Sequence, residues 1–195
     1  RVIKVRKGGH HEIFELRFNY NATKLISIGL GNKAAVIDIN SGEVLKSFKL
    51  PFNITRTAVS KTEDIIAFGM EGAQVDIYDL SNYELVSSIT REGHHVSGID
   101  FDPNGENIAI AIALKKAKPT PVTFHNIKSG AKQYETEKGV YASVNYNKDG
   151  SKVYLSGTRD IFNSVVDEYD ITTRSLRYLY TKFNRKTLTL YQGVE

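Results

Sequence analysis

The stretch 34–48, AAVIDINSGEVLKSF, decides the fold because it returns three times: AQVDIYDLSNYELVSSI at 73–89, TPVTFHNIKSGAKQY at 120–134 and VVDEYDITTRSLRYLY at 165–180. Each copy reads as a short apolar strand ending in an acid or amide, a polar turn, and a second strand. The markers at the strand ends are Asp38, Asp79, Asn126 and Asp170, spaced 41, 47 and 44 residues apart.

A second motif runs in step with the first. IFELRFNYNA (13–22), VSGIDFDPNG (96–105) and VYASVNYNKDG (140–150) each alternate apolar and polar residues and close on Asn, Asp, Pro or Gly, the residues of tight turns. The runs KLISIG, DIIAFG, ENIAIAIA and KVYLSG are apolar enough to be buried on both faces. One unit is therefore an alternating strand, a turn, a buried strand, a hairpin, a strand ending in the marker, and an outer strand. Four short strands every 40 to 47 residues, with no helical periodicity, predict propeller blades. A lone four-stranded sheet cannot bury both faces, whereas sheets stacked around an axis cover one another.

The units resemble WD repeats. Gly9-His10 and Gly93-His94 stand at that family's Gly-His position, Asp102-Pro103-Asn104-Gly105 at its Ser-Pro-Asp-Gly turn, and Ile37-Asp38, Tyr78-Asp79, His125-Asn126 and Tyr169-Asp170 at its Trp-Asp close. The resemblance covers the chain from Val2 to about Lys182. It implies a non-enzymatic protein–protein interaction scaffold that docks partners in a larger complex, without a cofactor. The chain also departs from the pattern. It has no Trp, and its hairpins LGN, MEG and KKAKPT lack the Asp that in the family joins the histidine in a buried network.

The expected fold is all-β, a β-propeller of four-stranded antiparallel blades with about four blades present, part of a larger seven- or eight-bladed ring. Repeats are expected at 1–42, 43–82, 83–130 and 131–174, with a fifth outer strand at 175–182 and an extension or further blade at 183–195. An open arc would expose sheet faces, so missing blades or pairing with a second chain are expected to complete it. A closed four-bladed ring is the alternative.

Composition narrows the chemistry. The 195 residues include no Cys, which excludes disulfides, zinc thiolates and thiol nucleophiles. The same absence fits a reducing compartment, and a cytoplasmic location is the expectation. The longest apolar run, 108–114, is far short of the roughly 20 residues that span a bilayer, so no membrane partner is expected. Because the chain opens on Arg1 rather than Met, its native N-terminus is expected to lie upstream. A net charge of +4, from 26 basic and 22 acidic residues, permits nucleic acid as a partner without indicating it.

Four histidines stand in two Gly-His-His stretches, His10-His11 and His94-His95, 84 residues apart. Two repeat lengths separate them, which points to a repeated loop rather than a metal or acid–base cluster. Neighbouring strand residues face opposite ways, so one histidine of each pair is expected buried and the other exposed. His125 falls in the aromatic slot at a strand end and is read as packing. The pairs Asp100 with Asp102 and Asp76 with Asp79 follow from strand alternation alone. A hydrolase or lyase would require several of His11, His95, Asp100 and Asp102 to converge in one pocket.

One hairpin is enlarged. From Asn107 to Asn126 the chain has 20 residues, against 16 from Asp64 to Asp79, and the extra length carries Lys115, Lys116 and Lys118. Insertions in repeat proteins map to loops and often to binding faces. In a WD-type blade this hairpin shares a rim with the Gly-His loop, which would gather His11, Arg91, His95, Lys115, Lys116, Lys118 and, from the next blade, Arg159. Two readings of that rim stand: a docking surface for an acidic or phosphorylated protein segment or a nucleic acid backbone, or a solvated lysine loop that keeps a sheet edge from pairing.

Overall fold

The computed structural model describes residues 12–116, 118–158 and 164–180. Strands β1 (Ile13–Phe18), β2 (Lys24–Gly29), β3 (Lys33–Asp38) and β4 (Val44–Lys49) form one antiparallel meander. A second contains β5 (Ile54–Val59), β6 (Ile65–Met70), β7 (Gln74–Asp79) and β8 (Leu85–Thr90). The others are β9 (His95–Phe101), β10 (Asn107–Ala113), β11 (Thr120–Asn126), β12 (Lys132–Tyr146), β13 (Lys152–Thr158), β14 (Ser164–Asp170) and β15 (Ser175–Tyr180), in one seven-stranded sheet.

That large sheet is two blades sharing a strand. The first half of β12, up to Gly139, pairs with β11, and the second half, from Val140, pairs with β13. Counting β12 twice, the described residues make four blades of four strands, an all-β propeller architecture. The sequence pattern places a fresh strand at Val140 and does not foresee this continuity. Elsewhere the link between blades holds a chain breaker: Pro51, which has no N–H to pair, or Gly93 in Arg91–His94. The matching stretch 135–139, ETEKG, also holds one glycine, Gly139, yet there the chain runs straight on from one blade into the next. The expected outer strands at 2–7 and 181–182, and the extension 183–195, lie outside the described residues.

Central strands feed two cores at once, because their side chains alternate between faces. On β6, Ile66, Phe68 and Met70 pack with Ile26, Ile28 and Val36 of the first blade, while Ile65 and Ala67 pack with Ile108 and Ile110 of the third. On β10, Ile108, Ile110 and Ile112 face the second blade, whereas Ala109 and Ala111 face Phe124, Val144 and Leu155. Burial of each large aliphatic is worth roughly 1.5–3 kcal/mol, and these stacked cores are the adhesive between sheets. The opposite face of β1 keeps Leu16 and Phe18 at 55% and 59% exposure.

Two devices repeat with the blades. The marker residues close the β3–β4 type of turn: Asp38 Oδ1 accepts from Ser41 N at 2.7 Å, Asp79 Oδ1 from Ser81 N at 2.6 Å, Asn126 Oδ1 from Ser129 N at 3.0 Å and Asp170 Oδ1 from Thr173 N at 2.7 Å. An acid or amide recurs there because only a short side chain with an acceptor can hold the next backbone amides. Backbone and hydroxyl donors of Ser41 hold the Asp38 carboxyl below its ordinary value, and those of Thr173 do the same for Asp170.

The second device is a register shift near the start of each innermost strand, within 13–15, 54–56, 96–98 and 141–143. These bulges leave one residue out of the ladder. At two of them that residue carries a hydroxyl aimed at the next blade: Thr55 Oγ1 donates to Val96 O at 2.8 Å, and Ser97 Oγ to Tyr141 O at 2.7 Å.

Candidate functional site

Three chain segments meet where the second blade joins the third. Gly72, in the β6–β7 hairpin with a φ of +73°, donates its N–H to His94 O at 2.8 Å. His94 N donates in turn to Ala113 O, also at 2.8 Å, which ties the loop before β9 to the end of β10. Glu71 pairs with His95 in an isolated β-bridge. The backbone therefore fixes the Gly-His loop between two hairpins, and their side chains follow.

The opening so formed has a volume of about 740 Å³ and is lined by Glu71, His94, Lys115, Lys116 and Lys118 with Gly72, Gly93 and Leu114. All three lysines are exposed. Glu71, the acid in this lining, accepts from Asn53 Nδ2 at 3.1 Å, so part of its carboxylate is already engaged. A pocket with three ammonium groups and one partly satisfied carboxylate is suited to an anion.

The expected rim set divides in the structure. Lys115, Lys116 and Lys118 sit beside the Gly-His loop, as the blade register predicts. His11 and Arg159 lie outside the described residues. Arg91 is turned away from the opening: its Nη1 donates to Thr123 Oγ1 at 2.8 Å, and burial holds its pKa below the ordinary value, with Glu135 working against that.

The histidine pair corrects an expectation. His94 is exposed and His95 half-buried, so neither ring is buried, and the two Nδ1 atoms stand 2.9 Å apart. Alternation between faces does not govern them, because β9 begins at His95 and His94 lies in the preceding bend. His94, not the His95 chosen from the repeat, is the ring that lines the opening.

His125 is packed as expected, and its bonds define its protonation. A carbonyl only accepts, so the contact of Nδ1 with Gly130 O at 3.0 Å puts the proton on Nδ1, and Nε2 accepts from the Thr123 hydroxyl at 3.0 Å. Burial first, then the charges of Arg91 and Lys132, hold this imidazole below its ordinary 6.5, against the Gly130 hydrogen bond. An unfolded ring protonates near 6.5 while the folded one stays neutral, so the unfolded chain binds more protons just below that pH. Stability is fully kept above 6.5 and falls as pH drops toward the lowered folded value; His95, also lowered, adds in the same direction. Thermal melts between pH 7 and 5 are expected to show a falling midpoint, and His125→Phe to flatten part of that fall. An unchanged slope in the variant would refute this assignment.

The acids that could serve an enzyme are not brought to the histidines. Asp100 lies five residues along β9 from His95, which is about 17 Å in an extended strand. It accepts from Tyr146 N at 2.8 Å, and Asp102 beyond it caps Glu106 N at 2.9 Å. Burial raises the Asp100 carboxyl above its ordinary value, with that Tyr146 amide opposing. Asp76 is likewise occupied, accepting from Ser88 Oγ at 2.6 Å and Gln74 Nε2 at 2.8 Å. Among the described residues no group of three or more His, Asp or Glu side chains is placed to hold a metal ion.

The fold has close structural parallels. No family model and no curated protein matches the chain. The solved hydrazine synthase of Kuenenia stuttgartiensis superposes with a TM-score of 0.72 at 16% identity, over 89% of this chain and 52% of that one. The Cps50 (Swd1) β-propeller domain of Myceliophteria thermophila gives a TM-score of 0.72 at 16% identity, over 90% of this chain and 57% of that one. The chain thus spans little more than half of either, and at such identity the likeness is one of fold.

Proposed function

We propose that this chain is a scaffold propeller of the WD-repeat kind and that the opening between its second and third blades docks an acidic or phosphorylated segment of a protein partner. The observation that carries this reading is the gathering of Lys115, Lys116 and Lys118 with His94 around one 740 Å³ opening, on hairpins pinned to each other through the backbone. A loop that served only to keep a sheet edge apart would not need this fixed position over a cavity. The WD-repeat character rests on Gly93-His94, the Asp102–Gly105 turn and the Asp79-type turn caps, all in blade register. The separation of His95 from Asp100 along β9 favours a binding role over hydrolysis.

The test is direct binding of peptides rich in Asp, Glu or phosphoserine. Replacing Lys115, Lys116 and Lys118 together by Glu is expected to weaken binding at least about 10-fold, since each reversal turns an attraction near the site into a repulsion. The melting midpoint should hardly change, because all three side chains are exposed. Affinity that survives the triple substitution would remove this opening as the docking site.

A further inference from the structure

The contact between His94 and His95 has a chemical consequence of its own. With 2.9 Å between Nδ1 atoms and ring planes at 79°, the two imidazoles share a hydrogen bond, which needs one N–H and one bare lone pair. When both rings are neutral, the donor ring keeps a bare Nε2. One added proton goes there and leaves the N–H···N bond in place, now charge-assisted. A second would put N–H groups on both facing Nδ1 atoms and drive the rings apart. The pair therefore changes between charge 0 and +1.

Its surroundings set which state wins. From the second blade come Glu71, whose carboxylate is held by Asn53, and Arg56, whose Nε donates to Ser97 O at 2.8 Å. From the β10–β11 hairpin come Lys115, Lys116 and Lys118. Cations outnumber anions here, and burial, then His94 and Arg56, lower the His95 imidazole, with Glu71 opposing. An anion in the opening reverses that field, and a phosphoryl group, with about −1.5 to −2 charge, does so more strongly than one carboxylate.

We propose that the opening binds a phosphorylated protein segment with uptake of one proton by the His94–His95 pair, so that docking tightens as pH falls. This rests on the docking role proposed above and adds to it a ligand class and a regulating proton. The sign is diagnostic. A phosphoserine loses charge as pH falls toward its second pKa of about 6, which by itself would weaken binding.

Two measurements on the full chain test it. The first follows histidine ring nitrogens by NMR from about pH 5 to about 8 in sodium sulfate and in sodium chloride of equal ionic strength, sulfate serving as a tetrahedral dianion that does not titrate. The midpoint of the His94–His95 pair is expected to rise by about 0.5 unit or more in sulfate, a roughly 3-fold tightening on protonation, while buried His125 serves as an unmoved internal standard. The second compares a phosphoserine peptide with acidic flanks and its unphosphorylated twin at two pH values one unit apart. Relative to a His94→Gln variant, which keeps the phosphoserine's own loss of charge but not the pair, the parent chain should gain roughly 1.5- to 2-fold in phosphopeptide affinity from the higher to the lower pH. Unmoved midpoints with the same pH response of phosphopeptide binding in parent and variant would overturn the proton uptake and leave the docking surface standing. Equal binding of the two peptides would overturn the phosphoryl group as ligand, and binding of neither would overturn the docking role itself.

Discussion

Phe124→Ala is expected to lower the melting temperature by roughly 6–20 °C, from a loss of about 3–5 kcal/mol at about 2–4 °C per kcal/mol for a chain of this size. The ring is fully buried in the core between the third and fourth blades. It stacks on Tyr134 at 4.4 Å and on Tyr169 at 5.5 Å and meets Tyr146 edge-on at 6.3 Å, so one side chain holds together residues of β12 and β14. Burial, followed by Tyr169 and the Asp102 carboxylate, pushes the Tyr134 phenol up to about 12, with Arg174 opposing. Burial, followed by Tyr134, likewise raises the Tyr146 phenol above its ordinary value. These hydroxyls stay protonated at any ordinary pH, and the cluster acts as apolar packing. Phe124→Leu, which keeps most of the volume, should cost under about 1.5 kcal/mol. Calorimetry that found the two variants equally stable would mean that continuous β12, rather than the ring cluster, joins these blades.

The second large effect is expected at Gly157. A Cβ built there would overlap Val140 O and stand 2.8 Å from Tyr141 Cα, both backbone atoms of the strand it pairs with. No rotamer change relieves a clash with backbone, so Gly157→Ala has to displace β12 where it passes from one blade to the next. The expected cost is about 3 kcal/mol, the upper range for overpacking, or roughly 6–12 °C. Hydrogen exchange should show the loss of protection concentrated in β12 and β13 rather than in β5–β8. Gly98→Ala, where the nearest backbone atoms would be 3.0 Å away, is a graded control with a smaller expected loss. A Gly157→Ala protein as stable as the parent would show that the bulge within 141–143 gives way at little cost.

Much of the architecture could be read from the chain because the information was local and repeated. Asp38, Asp79, Asn126 and Asp170 are legible as markers since each closes its own turn through contacts two or three residues away. The buried strands are legible because a stretch such as IAIAIA must hide both faces. The enlarged hairpin with Lys115, Lys116 and Lys118 is visible as added length against the repeat.

What was not legible depends on contacts distant in sequence. Arg91 reads as a rim cation until its guanidinium is seen to bond Thr123, 32 residues away. Thr55 and Ser97 read as ordinary polar strand residues, and their role appears only when bulges turn their hydroxyls to the next blade. The His94–His95 contact depends on where β9 begins, which the bridge to Glu71 and the bonds from Gly72 and to Ala113 decide.

The sequence by itself determined the repeat, the four-stranded unit, the turn chemistry and the place of the basic hairpin, because periodicity and turn geometry are short-range properties of the chain. Only the tertiary structure decided that the third and fourth blades share one unbroken strand, that Arg91 leaves the rim, and that two adjacent histidines face each other over a lysine-lined opening. Those outcomes follow from which backbone groups of different blades meet.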